Sequence, residues 1–471
     1  MKLNFTFTFF MFTTFFMFNI HAQDMNKTVA GGEYAFNKEK TECLTNVQRD
    51  EIKTEIKKNI ALLKTQNKLV YNKTKALDHP LFIWPVKKAS NITYNDVWAI
   101  SGYMDHDTAY PNNLKDYNCG TKTYDTDAGY NHLGVDIFTW PFSWNLMDTD
   151  GVEIVAAAPG QIIAKTVSNS DRSCSFNSNQ WNAVYVQHAD GSVALYGHMK
   201  QNSATQKNIG DSVVAGEYLG IVGSSGNSTG PHLHFEVYSE IEQNGVGQDI
   251  LIDPFADACN NLNTDSWWQD QKPYVDSNIN ALLTHSSPAV FPDCPTTETL
   301  NVSNQFALNE TAYFGLYLRD QVAGTSINLK IIRPNNTNLR DWNFDFVDSY
   351  DASWWRWSSS FDAAGEWKWQ ATYKGQTVTH TFNVGTLSVD EAIFKNTEVY
   401  PNPFNNSINI KSNTIIKKAT VVNMLGQPIK VENITSGSIK EINMESASKG
   451  IYFLTLEDAN SQKKTVKIVK E

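Results

Sequence analysis

Gly223-Ser224-Ser225-Gly226-Asn227-Ser228-Thr229-Gly230-Pro231-His232-Leu233-His234-Phe235-Glu236 is the stretch on which the reading of this chain turns. Residues two apart never share a helix face, but they do share the face of a strand. His232 and His234 therefore point into one site only if the segment is extended, and Phe235 and Val237 then face a core. Glu236 falls on the side of His234 but further along, which reads as an outward or structural position. Upstream lies His132-Leu133-Gly134-Val135-Asp136, where Gly134 and the β-branched Val135 and Ile137 favour a strand over a helix. Two histidines and one carboxylate are a usual ligand set for zinc, with a fourth position left for water. Another histidine sits in Leu195-Tyr196-Gly197-His198-Met199.

Around these residues the chain reads as short strands. Val152–Ala158, Gly160–Val167, Ala183–His188, Ser192–Tyr196 and Tyr218–Val222 are punctuated by turn signals such as Pro159-Gly160 and Asp190-Gly191. The expected class is mainly β. The boundaries expected from composition are a signal peptide over 1–23, a helical pro- or packing segment over 24–80 and a metal-bearing domain over 81–295. A Trp-rich β-sandwich over 296–386 and a last β unit over 389–471 complete the chain. The signal reading rests on Lys2, the apolar Phe-rich run Phe5–Ile20 and the small residue Ala22, and it predicts an exported, soluble protein. Thr45 and Gln48 form a capping box. Behind it Val47, Ile52, Ile56, Ile60 and Leu63 recur at helical spacing, predicting one amphipathic helix that packs on the next domain or is removed.

Over 471 residues, 41% are apolar and 19% charged, as in a folded protein, and the net charge of −11 offers no basic stripe for nucleic acid. No further stretch reaches the roughly 20 apolar residues that a membrane-spanning helix needs.

His-x-x-x-Asp, then Tyr-x-His, then Gly-x-Ser-Gly…Gly-x-His-x-His, in that order, resembles the LytM/lysostaphin-type zinc endopeptidases, the duplicated hybrid motif group, over about Pro85 to Pro254. The resemblance implies a small antiparallel β domain with an open groove for extended peptides. It implies one Zn2+ held by His132, Asp136 and His234, with His198 and His232 as catalytic residues that are not ligands. Gly197 stands where alanine is frequent in that family. The implied substrates are stem peptides or cross-bridges of peptidoglycan, or Gly-rich proteins. Zinc lowers the pKa of water and polarises a carbonyl, and His232, His198 or both would move the proton. His188, beside a turn, reads as a structural residue, whereas Asp105 and Asp107 flank His106 as a conceivable ion site.

Trp342, Trp354, Trp355, Trp357, Trp367 and Trp369 crowd the sandwich, as core or as a carbohydrate-stacking face. A different class of function follows from the second option: a zinc-holding binding or adhesion protein in which this sandwich does the work. Tyr400-Pro401-Asn402-Pro403, Met424-Leu425-Gly426-Gln427, Gly450-Ile451-Tyr452 and the basic end strand Lys464–Lys470 are similar to the C-terminal sorting domains of type IX secretion. That implies passage across an outer membrane to the exterior or the cell surface. Of five cysteines, local pairing joins Cys119 to Cys174 and Cys259 to Cys294. Cys43 is left over, as a free thiol, a partner in another bridge, or a thiolate capping the open zinc position of an inactive precursor.

Overall fold

The computed structural model describes residues 29–36, 41–70, 78–239, 250–294, 296–385, 397–412, 415–434, 439–458 and 463–471. The signal peptide expected over 1–23 lies outside the described residues. The chain is mostly strand, arranged in antiparallel sheets, with one long helix. Among the described residues no helix is long and apolar enough to cross a membrane.

The central sheet has eight strands. Its order is Trp98–Gly102, Val135–Thr139, His232–Tyr238, Val193–Gly197, Ala183–Gln187, Gly160–Thr166 and Ser212–Val213, with Leu251–Ile252 pairing to His232–Tyr238. A smaller sheet of Tyr218–Ile221, Val152–Val155 and Val86–Lys88 packs on one face. Val135, Ile137, Leu233, Phe235 and Val237 all fall in the core formed there. Strand parity thus sends Phe235 and Val237 into the core and the two histidines the other way.

The second unit is a β-sandwich. One sheet is Ala30–Glu33, Tyr350–Ser360, Thr311–Gln321 and Asn278–His285; the other is Gln305–Phe306, Gln376–Val384, Gly365–Tyr373, Ser326–Ile332 and Asn338–Asp345. It draws strands from both sides of residue 295, and one from the N-terminal segment. Trp357, Trp367 and Trp369 are fully buried, and Trp342 and Trp355 pack against the same cluster, so the tryptophans are chiefly core. The sandwich is fastened to the central sheet. Trp140 Nε1 donates to Leu318 O at 3.0 Å, and Asn280 Nδ2 donates to Trp98 O and Trp140 O at 2.9 and 3.1 Å. Arg319 lies 3.8 Å over the Trp98 ring while pairing with Asp96 and Asp276. The C-terminal unit holds two further antiparallel sheets around Ile408, Val421, Leu454 and Ile468.

The N-terminal helix runs Asn46–Thr65, with the Thr45/Gln48 capping box in place. Ile56 and Ile60 are buried against Ile163, Ala164 and Tyr185, and Leu63 is buried beside Gly210. Burying each such side chain contributes about 1.5–3 kcal/mol. Val47 departs from the expected stripe: it is exposed, because the buried face runs through Ile56, Ile60 and Leu63 and the first turn presents Gln48 inward instead.

The disulfides correct the local pairing. Cys119 bonds Cys259 and Cys174 bonds Cys294. The loop around Cys119 folds onto residues 253–261, where His106 meets Asp253 at 2.8 Å and Asn118 meets Asp257 at 2.7 Å. Arg172 similarly pins its loop to Asp148 and Thr297 beside Cys294. Spatial neighbours here are distant in sequence, which spacing alone does not reveal.

Candidate active site

Asp136 and His234 face each other across adjacent strands in direct register, and on the other side His234 pairs with Gly197, the residue before His198. This pairing brings the predicted residues together. His234 Nδ1 lies 2.9 Å from Asp136 Oδ1, His132 Nε2 is 3.3 Å from Asp136 Oδ2, and His132 Nε2 is 3.4 Å from His234 Nδ1. His232 Nε2 stands 3.7 Å from Asp136 Oδ1, and the rings of His198 and His232 are 4.3 Å apart. His132 precedes the strand Val135–Thr139 and reaches the cluster from its approach loop. His198 leaves its strand with φ +59°, a left-handed conformation uncommon for a residue with a Cβ.

Each ring is held from behind by an acceptor. Nδ1 of His132 donates to Tyr103 O at 2.7 Å, Nδ1 of His198 to Ser225 O at 2.7 Å, and Nδ1 of His232 to Gly230 O at 2.9 Å. His234 is turned round and gives Nε2–H to Glu236 Oε2 at 3.0 Å. Carbonyls and carboxylates only accept, so the hydrogen sits on the outer nitrogen of each ring. The opposite nitrogens of His132, His232 and His234 face Asp136, and on His132 and His234 they are where a metal would replace a proton. Nε2 of His198 is buried without a hydrogen-bond partner.

Charge balance follows from burial and these neighbours. Burial opposes ionisation of Asp136, yet His132 and His232 hold its carboxyl well below the usual range. Burial also works against protonation of His132, but Asp136 draws its pKa up to about 9. His198 is pushed down, first by burial and then by His232, and stays neutral. Ring nitrogens turned inward around one carboxylate make a donor set that fits a divalent cation able to displace their protons.

Of its two readings, outward or structural, Glu236 takes the second. It is fully buried behind His234, and Arg49 of the N-terminal helix reaches Oε1 at 2.6 Å. Burial raises its pKa, but Arg49 and His234 together outweigh this and bring it down to about 2. Its parity with His234 was the available signal; the guanidinium that makes burial tolerable comes from 187 residues away.

Cys43 is buried in the same cluster, with Sγ 3.6 Å from His234 Nδ1 and 3.5 Å from Tyr124 OH. One donor atom each from Cys43, His132, Asp136 and His234 all lie within 4.8 Å of one another. His188, bonded to Pro159 O at 2.8 Å, and His106, satisfied by Asp253 and Asn261, make no contact with this cluster.

Residues 131–249 match peptidase family M23, and they span all four histidines and Asp136. The chain carries an M23 peptidase domain. Residues 398–471 match the secretion system C-terminal sorting domain, so the chain also ends in such a domain. The M23 domain is similar to DD-carboxypeptidase/endopeptidase Mpg of Neisseria meningitidis serogroup B, 51% identical over 55 residues that cover 12% of each chain. It is also similar to the glycyl-glycine endopeptidase ALE-1 of Staphylococcus capitis, at 28% identity over 33% of this chain and 37% of the relative. The catalytic domain of lysostaphin from Staphylococcus simulans aligns over 35% of this chain and 95% of its own, at 22% identity and TM-score 0.18. The match spans about an eighth of the length of the Neisseria protein.

Proposed function

We propose that the M23 domain is a zinc-dependent endopeptidase acting outside the cell on the peptide part of peptidoglycan. His132, Asp136 and His234 would hold the metal through Nε2, a carboxylate oxygen and Nδ1. His198 and His232 would be catalytic without being ligands. The observation that carries this reading is the outward hydrogen bonding: a backbone carbonyl behind His132 and Glu236 behind His234 turn the other nitrogen of each ring to Asp136, where a metal would displace its proton. When bound, zinc supplies Lewis acidity towards a carbonyl and towards water.

The other steps belong to the side chains. His198, kept neutral by burial, has a free Nε2 able to accept a proton. His232, 4.3 Å away ring to ring, is placed to take the proton on from His198 at Nε2 and, so protonated, to hold a developing oxyanion or pass the proton to the leaving amine. Glu236 fixes the orientation of His234. The sorting domain supports export by the type IX machinery, and the similarity to a DD-carboxypeptidase/endopeptidase supports a peptidoglycan peptide as substrate.

The test is mass spectrometry of products after incubating the secreted, processed protein with peptidoglycan and, separately, with a Gly-rich protein, each with and without a chelator. The expected result is new amino and carboxyl ends in muropeptides that vanish with chelator, and no turnover by His232→Ala. Intact muropeptides in the presence of bound zinc would overturn the reading.

A further inference from the structure

All five residues of the site are between 0% and 2% exposed, which no extended peptide could reach. What covers them is the N-terminal segment. Ala30–Glu33 adds to the edge of the sandwich, pairing Ala30 with Arg356 and Glu33 with Ser353. Tyr34 then stacks on Trp140 at 4.2 Å. Phe36 lies flat on Phe138 at 4.6 Å and meets the His232 ring edge to face, with centroids 5.6 Å apart. A Cβ on Gly230 would come within 2.8 Å of the Phe36 ring, so this loop has room for the phenylalanine only because it carries glycine. Beyond the site Asn227 Nδ2 donates to Glu42 O at 2.6 Å, Gln48 Nε2 to Asn179 O at 3.1 Å, and Asn59 Nδ2 to Ile163 O at 3.0 Å. Cys43 lies between these two sets of anchors.

We propose that this segment holds the domain latent, with the Cys43 thiolate as the fourth ligand of the metal and Phe36 across the substrate's path beside His232. The inference rests on reading His132, Asp136 and His234 as a zinc site. Donors about 2.0–2.3 Å from a tetrahedral ion lie roughly 3.3–3.8 Å from one another. The separations from His132 to Asp136, from His132 to His234 and from Cys43 to His234 are 3.3, 3.4 and 3.6 Å, and only His234 and Asp136, in direct contact at 2.9 Å, would have to part slightly. The four donors supply one sulfur, two nitrogens and one oxygen, a closed set of the structural kind with no position for water. Cys43 is also the one cysteine not engaged in a disulfide, and its sulfur faces no other cysteine. The sequence allowed Cys43 three fates. The geometry selects the cap, and adds that the same segment blocks the cleft with an aromatic ring.

The experiment is X-ray absorption at the zinc edge on the full chain, wild type and Cys43→Ser, with Cys43→Ala as a second variant and thermal unfolding to establish folding. Hydrolysis of a peptide substrate is measured alongside. The expected result is one sulfur at about 2.3 Å in the wild type, replaced by nitrogen and oxygen alone in both variants. Hydrolysis by the variants should rise at least tenfold. Zinc bound by the wild type through nitrogen and oxygen only overturns the cap while leaving the metal centre standing. Failure of folded wild type and variants to bind zinc overturns the centre itself, and the cap with it. Sulfur on zinc in a wild-type chain that hydrolyses as fast as Cys43→Ser overturns latency.

Discussion

Replacing Glu236 with glutamine separates two jobs that one carboxylate performs. Its Oε2 accepts from His234 Nε2 at 3.0 Å, and its Oε1 accepts from Arg49 Nη1 at 2.6 Å, with the carboxylate fully buried and the guanidinium 11% exposed. Glutamine keeps the shape but removes the charge. On the metal side, losing the partner that orients and polarises a liganding histidine costs about 10- to 100-fold in affinity, which is about 1.4–2.7 kcal/mol. On the folding side, leaving Arg49 inside without its counter-charge costs about 3–5 kcal/mol. Competition for zinc against a chromophoric chelator measures the first, and urea unfolding of metal-free protein measures the second. Arg49→Met is the control, since it breaks the same ion pair but keeps the Glu236–His234 bond. It should lose comparable stability while holding zinc near wild-type affinity. Wild-type zinc affinity in Glu236→Gln would refute the orienting role, and equal weakening in both variants would show that the ion pair, not the bond to His234, sets affinity.

His285 in the sandwich predicts acid sensitivity. It is 1% exposed, gives Nδ1–H to Leu300 O and accepts at Nε2 from Tyr317 OH, and burial brings its pKa down to about 4. A depressed histidine is neutral when folded, so its contribution is whole above the unfolded pKa near 6.5 and is lost as pH falls towards 4. By pH 5 the loss is about 2 kcal/mol, and urea unfolding of His285→Gln should show a shallower pH slope than the wild type. Replacing Cys119 and Cys259 together with serine opens a closure spanning 140 residues and should cost about 2–5 kcal/mol in the same assay. His198→Gln in the processed enzyme should cut turnover by about 100- to 10,000-fold while zinc stays bound; loss of the metal instead would make His198 a ligand.

The site was largely legible because strand parity is a strict rule. His232 and His234 share a face, Phe235 and Val237 take the other, and the observed register sets His234 opposite Asp136 as an extended segment requires. Strands such as Ala183–Gln187 and Tyr218–Ile221 agree with the expected Ala183–His188 and Tyr218–Val222 to within a residue. What pattern could not supply was anything that depends on which distant segments meet. The disulfides follow loop packing, with His106 against Asp253 and Arg172 against Thr297, and have no local signature. Parity put Glu236 beside His234 correctly. Whether Glu236 is outward or structural stays open in the sequence, because the partner that lets a carboxylate be buried there, Arg49, comes from a distant segment.

The N-terminal segment shows the same division most sharply. The capping box fixes where the helix starts, and its apolar stripe fixes that it must pack, but neither says on what. Three independent anchors give the answer: an edge strand on the sandwich, aromatic stacking on Phe138 and Trp140, and Arg49 beneath His234. They lie on both sides of Cys43, so its position is set by the anchors and does not need a metal to pull it in. A donor already held 3.6 Å from His234 gives up little conformational freedom on binding, which makes its ligation stronger than that of a free thiol. By the same logic the cap should fail gradually with anchor removal. Tyr34→Ala, which leaves every candidate ligand in place, should raise hydrolysis by the full chain, though by less than Cys43→Ala does. An unchanged rate in Tyr34→Ala would mean that the helix alone holds the thiol.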